Sequence, residues 1–492
     1  MDFLPFKIRN RSMIYDRRHP FGRSSSLWRR AFFAILALLP FLTIWPLSVA
    51  NYSATLLSRT TLIMDGTGNP VPSDNYVERM MREYVYPTSG TDFSKVVPVI
   101  TPMQGWPATH PFNPLNNPDF KRFGVARFNP SISVGVENVQ TAMTLHQKRP
   151  LLIAGFSQGA IIVDQVKRNI AARVDAHPGS VSADTQFTLW ASPTRPNGGL
   201  FARFPGVHIP ILNLTFSGAA RTDTPFKTVD VVGQYDGYGD FPLYPTNIIA
   251  TVNAVMGMIA VHPPSILERS LDPRSPAFVP GTYMQRHGDT TYFFIPTHDL
   301  PLLAPVRAIG SLAPLAMRVM EPLLQAIEAP LRHLIEMGYD RNIPFGQAAR
   351  ARMIPPGGLL DHVTRTIAAM EGFARALAQG MQNAWASVLC GGCKPPLTLQ
   401  TLPPGSALVT DRGNLPPRDV NLPPIVRQAD AVTAEPHSVH GATTIPPSSP
   451  ASQISAADAL HQPTSDSTHL RAGPTESAAS PAMVSPLPVP HD

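Results

Sequence analysis

Charge and cysteine are both scarce in this chain. Of its 492 residues, 15% are Asp, Glu, Lys or Arg, and only two are cysteine. A quarter of residues is the usual charged share. The two cysteines, Cys390 and Cys393, stand as C-x-x-C. A structural zinc site needs about four ligands, and no second ligand pair lies near, so metal is excluded on spacing. A redox pair is expected beside a βαβ unit, whereas this one falls between an amphipathic run and a proline-rich stretch. A local disulfide formed in an oxidising space, or an incidental pair, are the two readings that remain. No basic stripe interleaved with aromatics appears beyond the N-terminal region, which leaves nucleic-acid binding unsupported. No internal repeat, collagen-like glycine period or cofactor motif is present, and no cofactor is expected.

What the chain has in excess is proline, 55 residues, beside a 43% share of hydrophobic residues. That apolar share is enough to bury a core, so the chain as a whole is not disordered. The net charge of +6 has a local origin. Basic residues such as Arg17, Arg18, Arg29 and Arg30 crowd residues 1–30, and Ala31 to Ala50 then carries no charge at all. About twenty apolar residues span a hydrocarbon core, and Arg on the N-terminal flank keeps that flank cytoplasmic. Residues 1–30 are therefore expected to be a basic cytoplasmic leader and 31–50 a membrane anchor. Ser48-Val49-Ala50 leaves a cleaved signal open as the alternative. Both readings put the rest of the chain on the outer side of a cell membrane.

From Thr60 the pattern is α/β. Short apolar runs at Thr61–Met64, Lys95–Ile100, Leu151–Ala154, Phe187–Ala191, Thr228–Gln234 and Thr290–Ile295 read as strands. Helical spacing fills Asp74–Tyr84, Ile132–Gln147, Gln158–Val174 and Thr246–Ala260 between them. Such alternation predicts a mostly parallel sheet covered on both faces. Leu302–Met337 and Leu359–Leu389 read as further helices, forming a lid, a packing layer or a lipid-resting surface. The expected organisation is an α/β-hydrolase domain over 60–342, a helical extension over 343–393, and a disordered Pro/Ser-rich tail over 394–492. That tail holds 18 of the 55 prolines, so the excess belongs mostly to the preceding residues.

Gly155-Phe156-Ser157-Gln158-Gly159 lies between an apolar strand and a helix, the setting a nucleophile elbow requires. The glycines allow a sharp turn that lifts the seryl oxygen above the sheet edge, with a helix N-terminus behind it for a developing oxyanion. The alternative is an ordinary turn with Ser157 as N-cap. A serine nucleophile needs a base oriented by an acid, in the chain order Ser, acid, His. Asp236 follows a strand's carboxyl end, and Asp240 lies one turn on; either could instead cap the helix from Thr246. His262, His287 and His298 are the candidates among the downstream histidines, and the general template favours His298.

Several blocks together resemble one family. Asp65-Gly66-Thr67-Gly68-Asn69-Pro70, the GFSQGA run, Gln234-Tyr235-Asp236 with Asp240-Phe241-Pro242, and Val261-His262 are similar to the PE-PPE domain family. So are Gly288-Asp289-Thr290-Thr291-Tyr292 and Gly338-Tyr339-Asp340-Arg341. The resemblance implies a cutinase-related serine α/β-hydrolase of the envelopes of mycolic-acid bacteria. It implies a triad of Ser157, Asp236 and His262, with oxyanion donors at Gln158 and Thr67. With an anchor where a PE or PPE module would stand, the chain looks like the anchored branch of the family, some members of which transfer acyl chains onto envelope glycolipids rather than to water. The expected partners are a lipid ester or acylated glycolipid and a membrane. An esterase or lipase, and a non-enzymatic envelope scaffold, are the alternatives.

Overall fold

The computed structural model describes residues 58–91, 93–109, 118–394, 404–410 and 421–427. The proposed leader and anchor, 1–50, lie outside the described residues. Among those described, no helix is long and apolar enough to cross a membrane.

Each apolar run becomes a strand of one eight-stranded sheet. In chain order the strands are β1 (Arg59–Met64), β2 (Phe93–Pro98), β3 (Leu151–Phe156), β4 (Gln186–Trp190), and a small separate ribbon of β5 (His208–Ile209) and β6 (Leu214–Thr215). They continue with β7 (Thr228–Gly233), β8 (Tyr283–His287), β9 (Thr290–Ile295) and β10 (Ser406–Leu408). The order across the sheet is β10-β8-β9-β7-β4-β3-β1-β2. Strands from β2 to β9 run parallel, while β8 and β10 add an antiparallel edge. β3 is buried along its whole length. Successive residues point to opposite faces, so Leu152 and Ala154 join the core on one face and Leu151 and Ile153 the core on the other. A mostly parallel sheet buried on both sides, with a strand–elbow–helix at its centre, is the α/β-hydrolase architecture.

The helices that matter for the site are α1 (Phe128–His146), α2 (Gln158–Ala176) and α3 (Ile248–Ala260). Beyond them come α4 (Ala304–Ser311), α5 (Pro314–Glu336) and α6 (Leu359–Leu389). The helical stretch expected over Leu302–Met337, with its prolines, is broken at Leu312–Ala313, because Pro314 opens α5, where a missing N–H costs nothing. Pro322 and Pro330 stay inside α5. Pro330 leaves the Ala326 carbonyl without its i+4 donor. That carbonyl faces α6 at Gly380, where a Cβ would fall 2.1 Å from its oxygen.

The tail expected to be disordered from Lys394 departs from that reading in two places. Ser406–Leu408 pairs antiparallel with β8 at one sheet edge, and Val96 bridges Ile425 at the other. An open sheet edge presents a row of unpaired N–H and C=O groups that another segment can pair with. Cys390 and Cys393 are joined in a disulfide at the end of α6.

Candidate active site

β3 ends at Phe156, and α2 starts at Gln158. The residue between them, Ser157, is held at φ 55°, ψ −112°. A non-glycine residue persists there only when its surroundings dictate it. Gly155 and Gly159 supply the tight fit: a Cβ on the first would meet the Gly159 carbonyl at 2.4 Å, and one on the second the Asp65 carbonyl at 2.5 Å. The Ser157 N–H donates to the Trp190 carbonyl at 3.0 Å, tying the elbow to β4. Its side chain makes no capping bond to α2. The hydroxyl instead lies 2.8 Å from His262 Nε2.

His262 follows α3 by two residues, and its Nδ1 lies 2.9 Å from both carboxylate oxygens of Asp236. Asp236 is wholly buried, just past β7, and its Oδ1 also accepts the Tyr238 N–H at 2.9 Å. With the Nδ1 proton donated to the carboxylate, Nε2 is the nitrogen free to accept from Ser157. The ring lies stacked on Phe156, centroids 5.0 Å apart, and meets Tyr238 edge-on at 4.6 Å. Neither aromatic was signalled by a motif: each borders a chemically obvious residue, and only the fold brings both onto one imidazole.

The structure brings Ser157, Asp236 and His262 into one hydrogen-bonded chain and leaves the other candidates outside it. Asp240 accepts the Tyr235 N–H at 2.9 Å and pairs with Arg341 at 2.7 Å. It does not cap α3; Asn247 does, accepting the Ala250 N–H. His298 sits 3.8 Å from Asp299 beside Arg332, and burial holds its pKa below the usual imidazole value. His287 ends β8, with Gly346 packed against its ring.

The two expected oxyanion donors, Gln158 and Thr67, are joined through their side chains. Gly66 packs on Ser157 and Phe156, with a Cβ there falling 3.2 Å from that of Ser157. The Thr67 hydroxyl donates to Gln158 Oε1 at 2.9 Å. Gln158 Nε2 donates in turn to the Gln104 carbonyl at 3.0 Å and to Ser131 Oγ at 3.1 Å. One buried amide thus links the elbow to the β1 loop and to α1. The Gly66 N–H is engaged by Asp65 Oδ1 at 2.7 Å, which leaves the next amide, that of Thr67, as the loop's available donor. Among the described residues, no cluster of His, Cys, Asp and Glu is arranged to hold a metal.

Asp65 holds this loop at a cost in stability. Burial pushes its carboxyl up to about 6, against the opposing pull of the Gly66 N–H and of Asn69. Its folded pKa exceeds its unfolded one, so its contribution to stability is full below about pH 4 and is lost as pH rises through about 6. Asp65→Asn keeps an acceptor for Gly66 and removes the charge. The variant is expected to be more stable at pH 7.5 by about 1–3 kcal/mol and to lose that part of the pH dependence. Thermal melts of both proteins at pH 4.5 and 7.5 check this; parallel pH dependences would rule out the assignment.

Comparison with known proteins adds to this geometry. Esterase PE16 of Mycobacterium tuberculosis is 36% identical over 298 residues, covering 58% of this chain and 49% of that protein. Diacyltrehalose acyltransferase Chp2 of the same organism is 30% identical over 278 residues, covering 55% of this chain and 71% of that one. The chain spans about half the length of the first curated relatives it matches. A cutinase-like protein from Cryptococcus sp. aligns over 38% of this chain and 80% of that one at 16% identity, with a TM-score of 0.23. The PE-PPE domain model matches residues 93–340, a span that holds the elbow, Asp236 and His262. With half of its residues inside that match, the chain belongs to the PE-PPE domain family.

Proposed function

We propose that this chain is a serine-dependent acyl-transfer enzyme that moves an acyl group from a lipid ester onto a glycolipid hydroxyl, on the outer side of a membrane to which residues 31–50 anchor it. The observation that carries the reading is the continuous hydrogen-bonded path from Ser157 through His262 to Asp236, at a strand–turn–helix backbone geometry that fits a nucleophile elbow. In the first step His262 Nε2 takes the Ser157 proton as Oγ attacks the ester carbonyl. The oxyanion is met by the Gln158 and Thr67 N–H groups, and losing one such donor typically raises the barrier by about 2.7–4 kcal/mol. His262 then hands the proton to the leaving alkoxide, and the acyl group stays on Ser157. An acceptor hydroxyl, deprotonated by the same nitrogen, attacks the acyl-enzyme and restores the serine. Asp236 keeps the imidazole in the right tautomer and stabilises its charged form.

The acceptor separates this reading from its neighbour. Similarity to Chp2 supports a sugar hydroxyl, and similarity to PE16 supports water, which makes an esterase the second reading. Acyl-enzyme formed from a labelled lipid ester is expected to partition to trehalose-type glycolipid at least tenfold faster than to water. Hydrolysis outrunning transfer would establish the esterase instead. Absence of a fluorophosphonate adduct on Ser157 in folded protein would overturn both and leave a non-enzymatic scaffold.

A further inference from the structure

The helical extension leaves an unusual amount of aliphatic surface uncovered, and that surface is organised. In α5 the row Leu315, Val319, Leu323 and Ile327 is exposed at i, i+4 spacing. In α6, Ile367, Met370, Leu377, Met381 and Trp385 are exposed likewise, Trp385 at 65%. The two helices pack antiparallel: Gly372 of α6 meets His333, Gly380 meets Ala326, and Gly392, just past the helix, meets Arg318. At about 100° per residue, Val319, Leu323 and Ile327 lie roughly 20–100° clockwise from Ala326, viewed from the N-terminus of α5. Leu377, Met381 and Trp385 lie roughly 60–140° clockwise from Gly380, viewed from the N-terminus of α6. In an antiparallel pair, equal rotations bring both rows to the same side. The hairpin is therefore a plate, apolar on one side, with Arg375, Gln379 and Gln382 turned away from it on α6.

A third row points toward the chemistry. Ile248, Val252, Val255 and Ile259 are exposed along α3, and Ile259, at 78%, stands three residues before His262.

We infer that this plate is an interfacial docking surface whose occupant is a lipid bilayer, with α5 and α6 lying in the headgroup–acyl boundary. The rows are aliphatic with a terminal Trp and contain neither Tyr nor Arg. Amphipathic helices that lie in membrane interfaces have that composition, whereas protein hot spots favour Tyr and Arg along with Trp. The sequence also carries a lipid-seeking element. The uncharged run 31–50 ends eight residues before the first described residue, 58, so its tether spans at most about 30 Å. This part rests on the anchored reading above. The charges of α6 balance, Asp361 and Glu371 against Arg365 and Arg375, so docking on the plate is apolar rather than electrostatic.

Single-cysteine variants of the full chain test the inference, since both native cysteines are bonded to each other. L323C and M381C mark the plate, and Q382C marks the polar side. Each is labelled with bimane and reconstituted in phosphatidylcholine liposomes with or without doxyl-labelled lipid. Labels at 323 and 381 are expected to be quenched at least twofold more than the label at 382, equally at 50 and 500 mM salt. Equal weak quenching at all three, in chains that float with the liposomes, overturns the plate while sparing the anchor. Blue-shifted labels at 323 and 381 without lipid quenching overturn it in favour of a second copy or another segment of the chain. Chains that do not float overturn plate and anchor together. Fluorophosphonate labelling of Ser157 in the same liposomes reports on the acyl-transfer reading independently.

Discussion

Ser157→Ala protein is expected to fold with nearly unchanged stability and to lose about five to six orders of magnitude in kcat on a p-nitrophenyl ester, the scale seen when a serine hydrolase loses its nucleophile. The separation of the two effects is what identifies a nucleophile. The Ser157 hydroxyl caps nothing, so its removal deletes one hydrogen bond, to His262, worth about 0.5–1.5 kcal/mol. Alanine meets the same backbone strain at φ 55° that serine does, so the elbow's geometry is not relaxed by the change. His262 would still be oriented by Asp236, and the proposed oxyanion donors, the Gln158 and Thr67 N–H groups, would be untouched by the change. What is left is the binding and oxyanion contribution, which alone still exceeds the uncatalysed rate by about 10³–10⁴. Initial rates, a thermal melt and an intact-mass measurement after fluorophosphonate treatment decide the matter on one preparation. A variant that keeps kcat within tenfold of the parent, or still forms the adduct, removes Ser157 from the mechanism.

The fold was legible in the sequence where local chemistry and global structure agree. Leu151–Ala154 is apolar without interruption because β3 is covered on both faces, and the flanking glycines fit one sharp turn at Ser157. Thr290–Ile295 and Leu359–Leu389 carry their boundaries in flanking Gly and Pro residues. What stayed hidden depends on partners distant in the chain. The Gln158 amide reads as an ordinary helix-start residue until Thr67, Gln104 and Ser131 converge on it. Arg341 stood out only within a family block, and its role as the cation clasped by Asp240 and Glu336 depends on partners distant in the chain. The β10 segment has neither the length nor the alternation of a strand; the open edge of β8 dictates its conformation. The exposed rows of α5 and α6 were legible as amphipathic but not as unpartnered, because periodicity reports a helix's apolar side and not whether protein covers it.

Asp236→Asn protein is expected to lose about 10⁴-fold in kcat with its fold intact. Neighbouring backbone donors fix which way the new amide turns. Asp236 Oδ1 accepts the Tyr238 N–H at 2.9 Å and the Gly239 N–H at 3.3 Å, so the amide oxygen must take that position. The amide NH₂ then faces His262 Nδ1 as a donor, and Nδ1 must become the acceptor. The imidazole proton moves to Nε2, where it points at Ser157 Oγ, and the base has lost its free lone pair. Asp240→Asn makes the informative partner. Asp240 faces the Arg341 guanidinium through both oxygens, at 2.7 and 3.1 Å, and neutralising it leaves a half-buried cation with Glu336 as its remaining carboxylate. That variant is expected to melt lower, by the several kcal/mol a broken buried pair costs, while its remaining folded fraction turns over at a rate within tenfold of the parent. Rates per folded molecule, with the folded fraction taken from circular dichroism and thermal melts, separate the two carboxylates. The reverse pattern, with Asp236→Asn active and Asp240→Asn inactive, would move the acid of the triad from the end of β7 to the Arg341 clasp.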